Sequence, residues 1–270
     1  MRSIEEAHHA LRTGRISRAC IGRSAGDIGL RRHRSRESEN GTSNGPSVTT
    51  NATLTSDYRF RGFSQTQERA ALQGGFEVTF HQFYVGLWAS NVDFGDVLHA
   101  GHWKKVASYE VDTYVGYKHK FWGFQTDVRA IFYSYPGAFG DPNNLNYFEA
   151  MFGISREVLP QLTLDFQAYY SPDYIGETGR NWVFEAGLAS KFNRHGSVTP
   201  SLSARIGWSE GDEKAGGIDY GYWNAGVSFL FADYFEFDIR YFDTFDMPSS
   251  VGSCTDRCDG RVVARITFEN

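Results

Sequence analysis

The sequence predicts an all-β chain, a transmembrane antiparallel up-and-down β-barrel of about twelve strands, with a separate N-terminal segment ahead of it. Three observations carry that prediction. Apolar and polar residues alternate with a period of two through most of the chain after residue 46, which separates two faces cleanly on a strand and scatters them on a helix. Aromatic residues make up 16% of the chain while mean hydropathy is -0.43, a pairing suited to rings spread over an outer surface with polar groups inside. Short and long connections follow one another in turn, as in a barrel with tight turns at one end and loops at the other.

Taken in order, the strands are expected near 49–61, 70–80, 83–90, 108–118, 123–134, 145–155, 161–171, 181–192, 198–208, 219–231, 234–243 and 261–268. Within 109–118, Tyr109, Val111, Thr113, Val115 and Tyr117 share one face, and Glu110, Asp112, Tyr114, Gly116 and Lys118 the other. In 162–170, Leu162, Leu164, Phe166, Ala168 and Tyr170 alternate with Thr163, Asp165, Gln167 and Tyr169. Phe235, Phe237, Ile239 and Tyr241 alternate with Glu236, Asp238 and Arg240, and the last strand sets Val262, Ala264, Ile266 and Phe268 against Val263, Arg265 and Thr267. The short connections are His81–Gln82, His119–Trp122, Arg156–Pro160, Asn193–Ser197 and Ala232–Asp233; the long ones are 62–69, 91–107, 135–144, 172–180, 209–218 and 244–260. A soluble sandwich has no reason to sort its loops this way. Phe80, Phe83, Phe121, Trp122, Phe192, Phe231 and Tyr234 flank the short turns and are expected to form the periplasmic aromatic girdle. Tyr58, Phe60, Tyr170, Trp208 and Tyr241 are expected to form the outer one.

No run approaches the roughly 18 consecutive apolar residues of a transmembrane helix, whereas a barrel strand needs only about ten alternating ones. Residues 1–46 hold nine Arg, among them Arg31, Arg32, Arg34 and Arg36, and no sustained period, so they read as a disordered Arg-rich segment. That segment lacks the roughly 7–15-residue apolar run of a secretory signal, which an exported barrel needs. Two readings stay open: a start codon placed wrongly, or a chain that is not exported. The remaining residues, 47–270, carry 18 of the 27 basic and 27 of the 32 acidic side chains. So acidic a body excludes nucleic acid as a partner. Cys254 and Cys258 sit close together in a Gly/Ser/Asp-rich loop and are candidates for a disulfide, half of a metal site being the other reading.

Closure follows from the membrane, because in hydrocarbon every backbone polar group must be paired within the protein. The polar face then becomes a lumen. The inward, pore-lining candidates are Asp57, Arg59, Arg61, Glu77, Glu110, Asp112, Lys118, Asp127, Arg129, Glu149, Asp165, Glu185, Lys191, Arg205, Glu236, Asp238, Arg240 and Arg265. Their mixed signs fit a narrow water-filled channel for small solutes or ions, and equally a sealed barrel plugged by its own side chains or loops. A third reading is a hydrolase at the rim, for which His99 and His102 with Asp93 and Asp96 are the only candidate group. The acidic runs Glu210, Asp212, Glu213 and Asp256–Asp259 read as solvated loops. No catalytic set, metal site or cofactor is expected. The expected partners are the lipid of the outer membrane, the barrel-assembly machinery and the solutes or ions themselves.

Leu54-Thr55-Ser56-Asp57-Tyr58-Arg59-Phe60-Arg61-Gly62-Phe63-Ser64-Gln65-Thr66 resembles the opening strand and first loop of the TorF family of porin-like proteins. Ala71-Leu72-Gln73-Gly74-Gly75-Phe76-Glu77 and Tyr84-Val85-Gly86-Leu87-Trp88-Ala89-Ser90-Asn91-Val92-Asp93-Phe94 continue the likeness, which spans residues 48–268. It implies a Gram-negative outer-membrane barrel assigned as a porin by analogy, with no catalytic residues to carry over. The sequence departs from the family in lacking a signal peptide at its head. It also departs from many outer-membrane barrels in ending Phe268-Glu269-Asn270 rather than on an aromatic.

Overall fold

The computed structural model describes residues 45–139, 145–248 and 257–270. The predicted disordered head, residues 1–44 in particular, and Cys254 lie outside the described residues. The strands are β1 (Ser47–Thr55), β2 (Arg59–Phe60), β3 (Phe63–Ser64), β4 (Ala71–Phe80), β5 (Phe83–Asn91), β6 (Asp96–His99), β7 (His102–Lys105), β8 (Tyr109–Phe121), β9 (Phe124–Ser134), β10 (Tyr147–Leu159), β11 (Leu162–Ser171), β12 (Asn181–Lys191), β13 (Val198–Gly211), β14 (Tyr220–Phe231), β15 (Phe235–Phe245) and β16 (Arg261–Glu269). Twelve of them form one closed antiparallel barrel, each bonded to its sequence neighbour, with β1 closing onto β16 through Asn51↔Glu269 to Thr55↔Arg265. The pairs β2–β3 and β6–β7 are small hairpins that take no part in that ring of hydrogen bonds. The predicted barrel of about twelve strands is therefore the observed fold.

Alternation sets the two faces. Along β8 exposure rises at Tyr109, Thr113, Val115 and Tyr117 and vanishes at Glu110, Asp112, Tyr114 and Gly116. Round the ring the outer face presents Leu72, Phe76, Val85, Val128, Phe132, Phe152, Phe166, Leu188, Ile206, Val227, Ile239 and Ile266, all exposed. In water so continuous an apolar belt would far exceed the few hundred Å² that soluble monomers tolerate. In a bilayer it is the lipid-facing surface, and the chain is an outer-membrane barrel of bacterial type.

One end carries only tight turns. His81, Trp122 with Gly123, Gln161, and Ala232 with Asp233 take positive φ there, the geometry that lets a two-residue turn follow the twist of its strands. Phe80, Phe83, Phe121, Trp122, Phe192, Phe231 and Tyr234 are all exposed at this end, as the girdle requires. The other end carries the long connections. By the ordinary rule for such barrels the tight turns are periplasmic and the loops external.

The first strand corrects the sequence reading. It was expected to run from 49 to 61, but β1 stops at Thr55 and the chain turns into the barrel. Tyr58 and Phe60, expected in the outer girdle, are buried inside instead. The reason is local. Thr55 Oγ1 donates to the Asp57 carbonyl at 2.6 Å, and the Asp57 carboxylate accepts from Arg59 Nε at 2.6 Å, Ser64 Oγ at 2.6 Å and Thr66 Oγ1 at 3.0 Å. These bonds offer the backbone an alternative to the sheet ladder and fold 57–66 on itself.

Candidate functional site

The site is the lumen, and its main feature is the hairpin of β2 and β3. Phe60 pairs with Phe63 and Arg59 with Ser64, and the turn between them has positive φ at both Arg61 (44°) and Gly62 (86°). Only glycine fits the second position, since a Cβ on Gly62 would run into Thr244 on β15. Every residue from Asp57 to Thr66 is buried. The hairpin is tied to the external loops: Ser64 N–H donates to the Arg257 carbonyl at 2.7 Å and Asp93 N–H to the Gln65 carbonyl at 2.8 Å. Arg59 Nη1 donates to the carbonyls of Gly62 (3.0 Å), Arg257 (3.2 Å) and Asp259 (3.1 Å).

At its tip the hairpin reaches the far wall. Arg61 donates Nη1 to Glu149 Oε1 at 2.9 Å and Nη2 to Glu149 Oε2 at 3.1 Å, a two-pronged pair whose side chains are 0% and 1% exposed. Tyr133 Oη donates to the same carboxylate at 3.0 Å, and the guanidinium lies 4.9 Å from the Tyr169 ring centre. Glu149 stands on β10, which is separated from β1 by β4, β5, β8 and β9 along one side of the ring and by six strands along the other. Phe63 meets Tyr220 of β14 edge-on at 4.9 Å between ring centres. The lumen at this depth is therefore spanned, with Ile131, Tyr133, Val183 and Val263 buried around it.

Toward the turn end the inner wall carries three charge groups. On β4, β5, β8 and β9, Tyr84 Oη donates to Asp127 at 2.5 Å while accepting from Arg129 Nε at 2.6 Å, and Lys118 reaches Glu77 at 3.5 Å. On β11, β12, β13 and β14, Arg205 bridges Asp165 at 2.8 Å and Glu185 at 3.2 Å, and Tyr222 Oη donates to Glu185 at 2.5 Å. On β15 and β16, Asp238 is shared by Arg240 at 3.1 Å and Arg265 at 3.0 Å, Arg240 also donating to Asn224 of β14 and Ser203 of β13 at 2.7 Å each. Each of these lumenal guanidiniums is held by a carboxylate.

The predicted inward residues thus fall into distinct places. Glu77, Lys118, Asp127, Arg129, Asp165, Glu185, Arg205, Asp238, Arg240 and Arg265 form the wall groups just described, and Glu236 is half-buried on the inward face of β15. Glu110 and Asp112 are buried on β8, Tyr135 Oη donating to Glu110 at 3.2 Å. Asp57, Arg59 and Arg61 are inside the barrel but on the hairpin rather than on the first strand, which is a correction. Lys191 ends β12 at the turn rim, on the face of Glu185, and is exposed there. The inward tyrosines Tyr84, Tyr114, Tyr133, Tyr169 and Tyr222 were not singled out as lumenal, although Tyr114 and Tyr169 already stood on the polar faces of their strands.

The loop candidates separate as well. His99 and His102 are cross-strand partners on the exposed β6–β7 hairpin, His99 packing on Phe139 at 5.0 Å. Asp93 is held by Arg69 and Lys105 instead. Burial would raise its carboxyl, but the Gly95 N–H, Lys105 and Arg69 hold it below the ordinary range. Nearby Glu68 shifts the other way: burial, with Asp259 and Asp57, pushes it up against the pull of Arg261 and Arg59. Cys258 is buried and disulfide-bonded.

The family model described as "Bacterial protein of unknown function (Gcw_chp)" matches residues 39–268. The chain belongs to this family. No curated protein sequence matches it. Among solved structures, this Gcw_chp protein is similar to the KdgM porin in complex with disordered oligogalacturonate, with TM-score 0.52 and 6% identity over 83% of this chain and 98% of that one. A second KdgM porin structure gives TM-score 0.52 and 7% identity over the same shares, and the NanC porin gives 0.46 and 9% over 82% and 98%. At such identities the KdgM likeness is one of fold. It agrees with the closed barrel and the lipid-facing belt, and the Gcw_chp protein is placed in the bacterial outer membrane.

Proposed function

We propose that the protein is a porin-like channel of the outer membrane for passive passage of small solutes or ions, with the inward hairpin as its constriction. The observation that supports this most directly is the partly exposed charge on the inner wall below the hairpin: Glu77, Lys118, Arg129, Arg205 and Arg265 keep some contact with solvent inside the ring. Charges of both signs are expensive in a dry interior, at several kcal/mol per ion, and natural in a wet one. The TorF-type resemblance of residues 48–268 points the same way. The oligogalacturonate of the KdgM complex does not carry over, because the lumenal guanidiniums here are already matched by carboxylates. The reading needs neither a catalytic group nor a cofactor. Assembly would use the barrel-assembly machinery, and Cys254 is the proposed partner of Cys258 in the external loop.

Refolded protein in a planar bilayer is expected to give small stepwise currents. Arg61→Ala, which releases the hairpin tip from Glu149, should raise single-channel conductance by a factor of two or more on the order-of-magnitude view that a pore's narrowest section governs its flow. A second reading, a sealed structural barrel, is favoured by the two-pronged Arg61–Glu149 pair and the buried band around it. Silence from both wild type and Arg61→Ala, with intact heat-modifiable gel migration, would select it.

A further inference from the structure

We propose that the recess at the external rim between β4, β5 and β8 binds the phosphate of an outer-leaflet lipid. The recess, of about 430 Å³, is lined by Arg69, Asn91, Asp93, Lys105, Ser108 and Tyr109 among others. Its place in the membrane follows from register. Asn91 and Tyr109 are partners on the last rung between β5 and β8, on the face that presents Val85, Val115 and Tyr117 to lipid below. Tyr109 is exposed, as is Leu72 on β4, whose N–H donates to Asn91 Oδ1 from the other side of β5. Apolar surface for acyl chains therefore lies directly beneath a polar recess.

The charge of the recess selects the headgroup. Arg69 and Lys105 both lean on Asp93, so two cations share one carboxylate and a positive excess remains. Asp93 is already satisfied by Gln67 Nε2 at 2.7 Å and the Gly95 N–H at 3.0 Å, which fix it as a post for the two cations. The Arg69 and Lys105 side chains are 64% and 57% exposed, leaving further N–H donors toward the lipid surface. A phosphate accepts from a guanidinium and an ammonium at once, through charge-assisted bonds. A free anion would use the same donors but none of the apolar surface below them.

Refolded protein is titrated with bisphosphorylated lipid A and with its dephosphorylated form, and bound lipid is counted by native mass spectrometry. Wild type should bind the bisphosphorylated form. Arg69→Gln/Lys105→Gln should bind it at least about tenfold more weakly, the loss expected for one charge-assisted hydrogen bond. Lys120→Glu, at the turn end, should bind as wild type does. Heat-modifiable migration checks folding, and Lys105→Gln alone, with a weaker loss in the same direction, serves if the double variant does not fold. Equal binding of the dephosphorylated lipid, or undiminished binding by the glutamine variants, would overturn the proposal. Displacement of the lipid by millimolar inorganic phosphate would overturn it too, by making the recess a site for soluble anions.

Discussion

Arg61 is the residue on which the narrowing of the lumen turns. It occupies the left-handed region, at a cost of about 1–2 kcal/mol for a residue with a Cβ, and its pair with Glu149 spans the barrel. Arg61→Ala removes the cation and leaves the Glu149 carboxylate buried beside Tyr133, so it should cost about 3–5 kcal/mol in urea unfolding from lipid vesicles. Glu149→Gln on that background should recover part of the loss, since the charge left behind is then gone. The external carboxylates respond to acid with opposite signs. Asp93 has a lowered folded value, so its contribution is present above the ordinary carboxylate range and is lost only as pH falls through that lower value. Glu68 has a raised one, so its contribution is present below the ordinary range and lost as pH rises through the folded value. Carboxyl NMR titration should find Asp93 ionised well after Glu68 has taken its proton.

At the scale of elements, the wall strands were legible and the hairpin was not. A period of two marks a strand with one wet and one greasy side, and β8, β11 and β15 follow it residue by residue. The same period in Asp57-Tyr58-Arg59-Phe60-Arg61 made a hairpin look like the end of β1. Alternation cannot tell a strand facing lipid from one buried on both sides. The signal that could have separated them is the Asp57, Ser64 and Thr66 set around Gly62, whose side chains bond to each other instead of to a neighbouring strand. Packing of tyrosine over glycine was equally hidden, because register is not visible in a sequence. Tyr84 lies across from Gly116 and Tyr114 across from Gly86, each ring covering the bare backbone of its partner. Gly116→Val would push the Tyr84 ring out of place and with it the bonds to Asp127 and Arg129. It should destabilise the barrel by about 1–3 kcal/mol, read from the urea midpoint, while Tyr84→Phe at the same rung should cost less.

At the scale of the whole molecule, loop sorting and the aromatic girdle gave the architecture away, since both follow from a slab of hydrocarbon with water on each side. What the lumen does was less legible, because inward charges look the same in sequence whether water or a partner faces them. The seam carries a consequence of its own. Asn270 accepts from Thr50 N–H and Oγ1 at 3.1 and 2.8 Å, so it meets the first strand next to the Ala232–Asp233 turn, where Glu269 N–H donates to the Tyr234 carbonyl. The order in which the ribbon is threaded is then incidental to the closed ring it makes. A circular permutant that joins Asn270 to Ser47 through a few glycines and begins at Gln82 should assemble into the same cylinder, with unchanged electrophoretic mobility before and after boiling. A permutant cut between Phe63 and Ser64 instead should still close its wall and yet pass larger currents than the uncut cylinder, because the cut loosens the neck and spares the bottle.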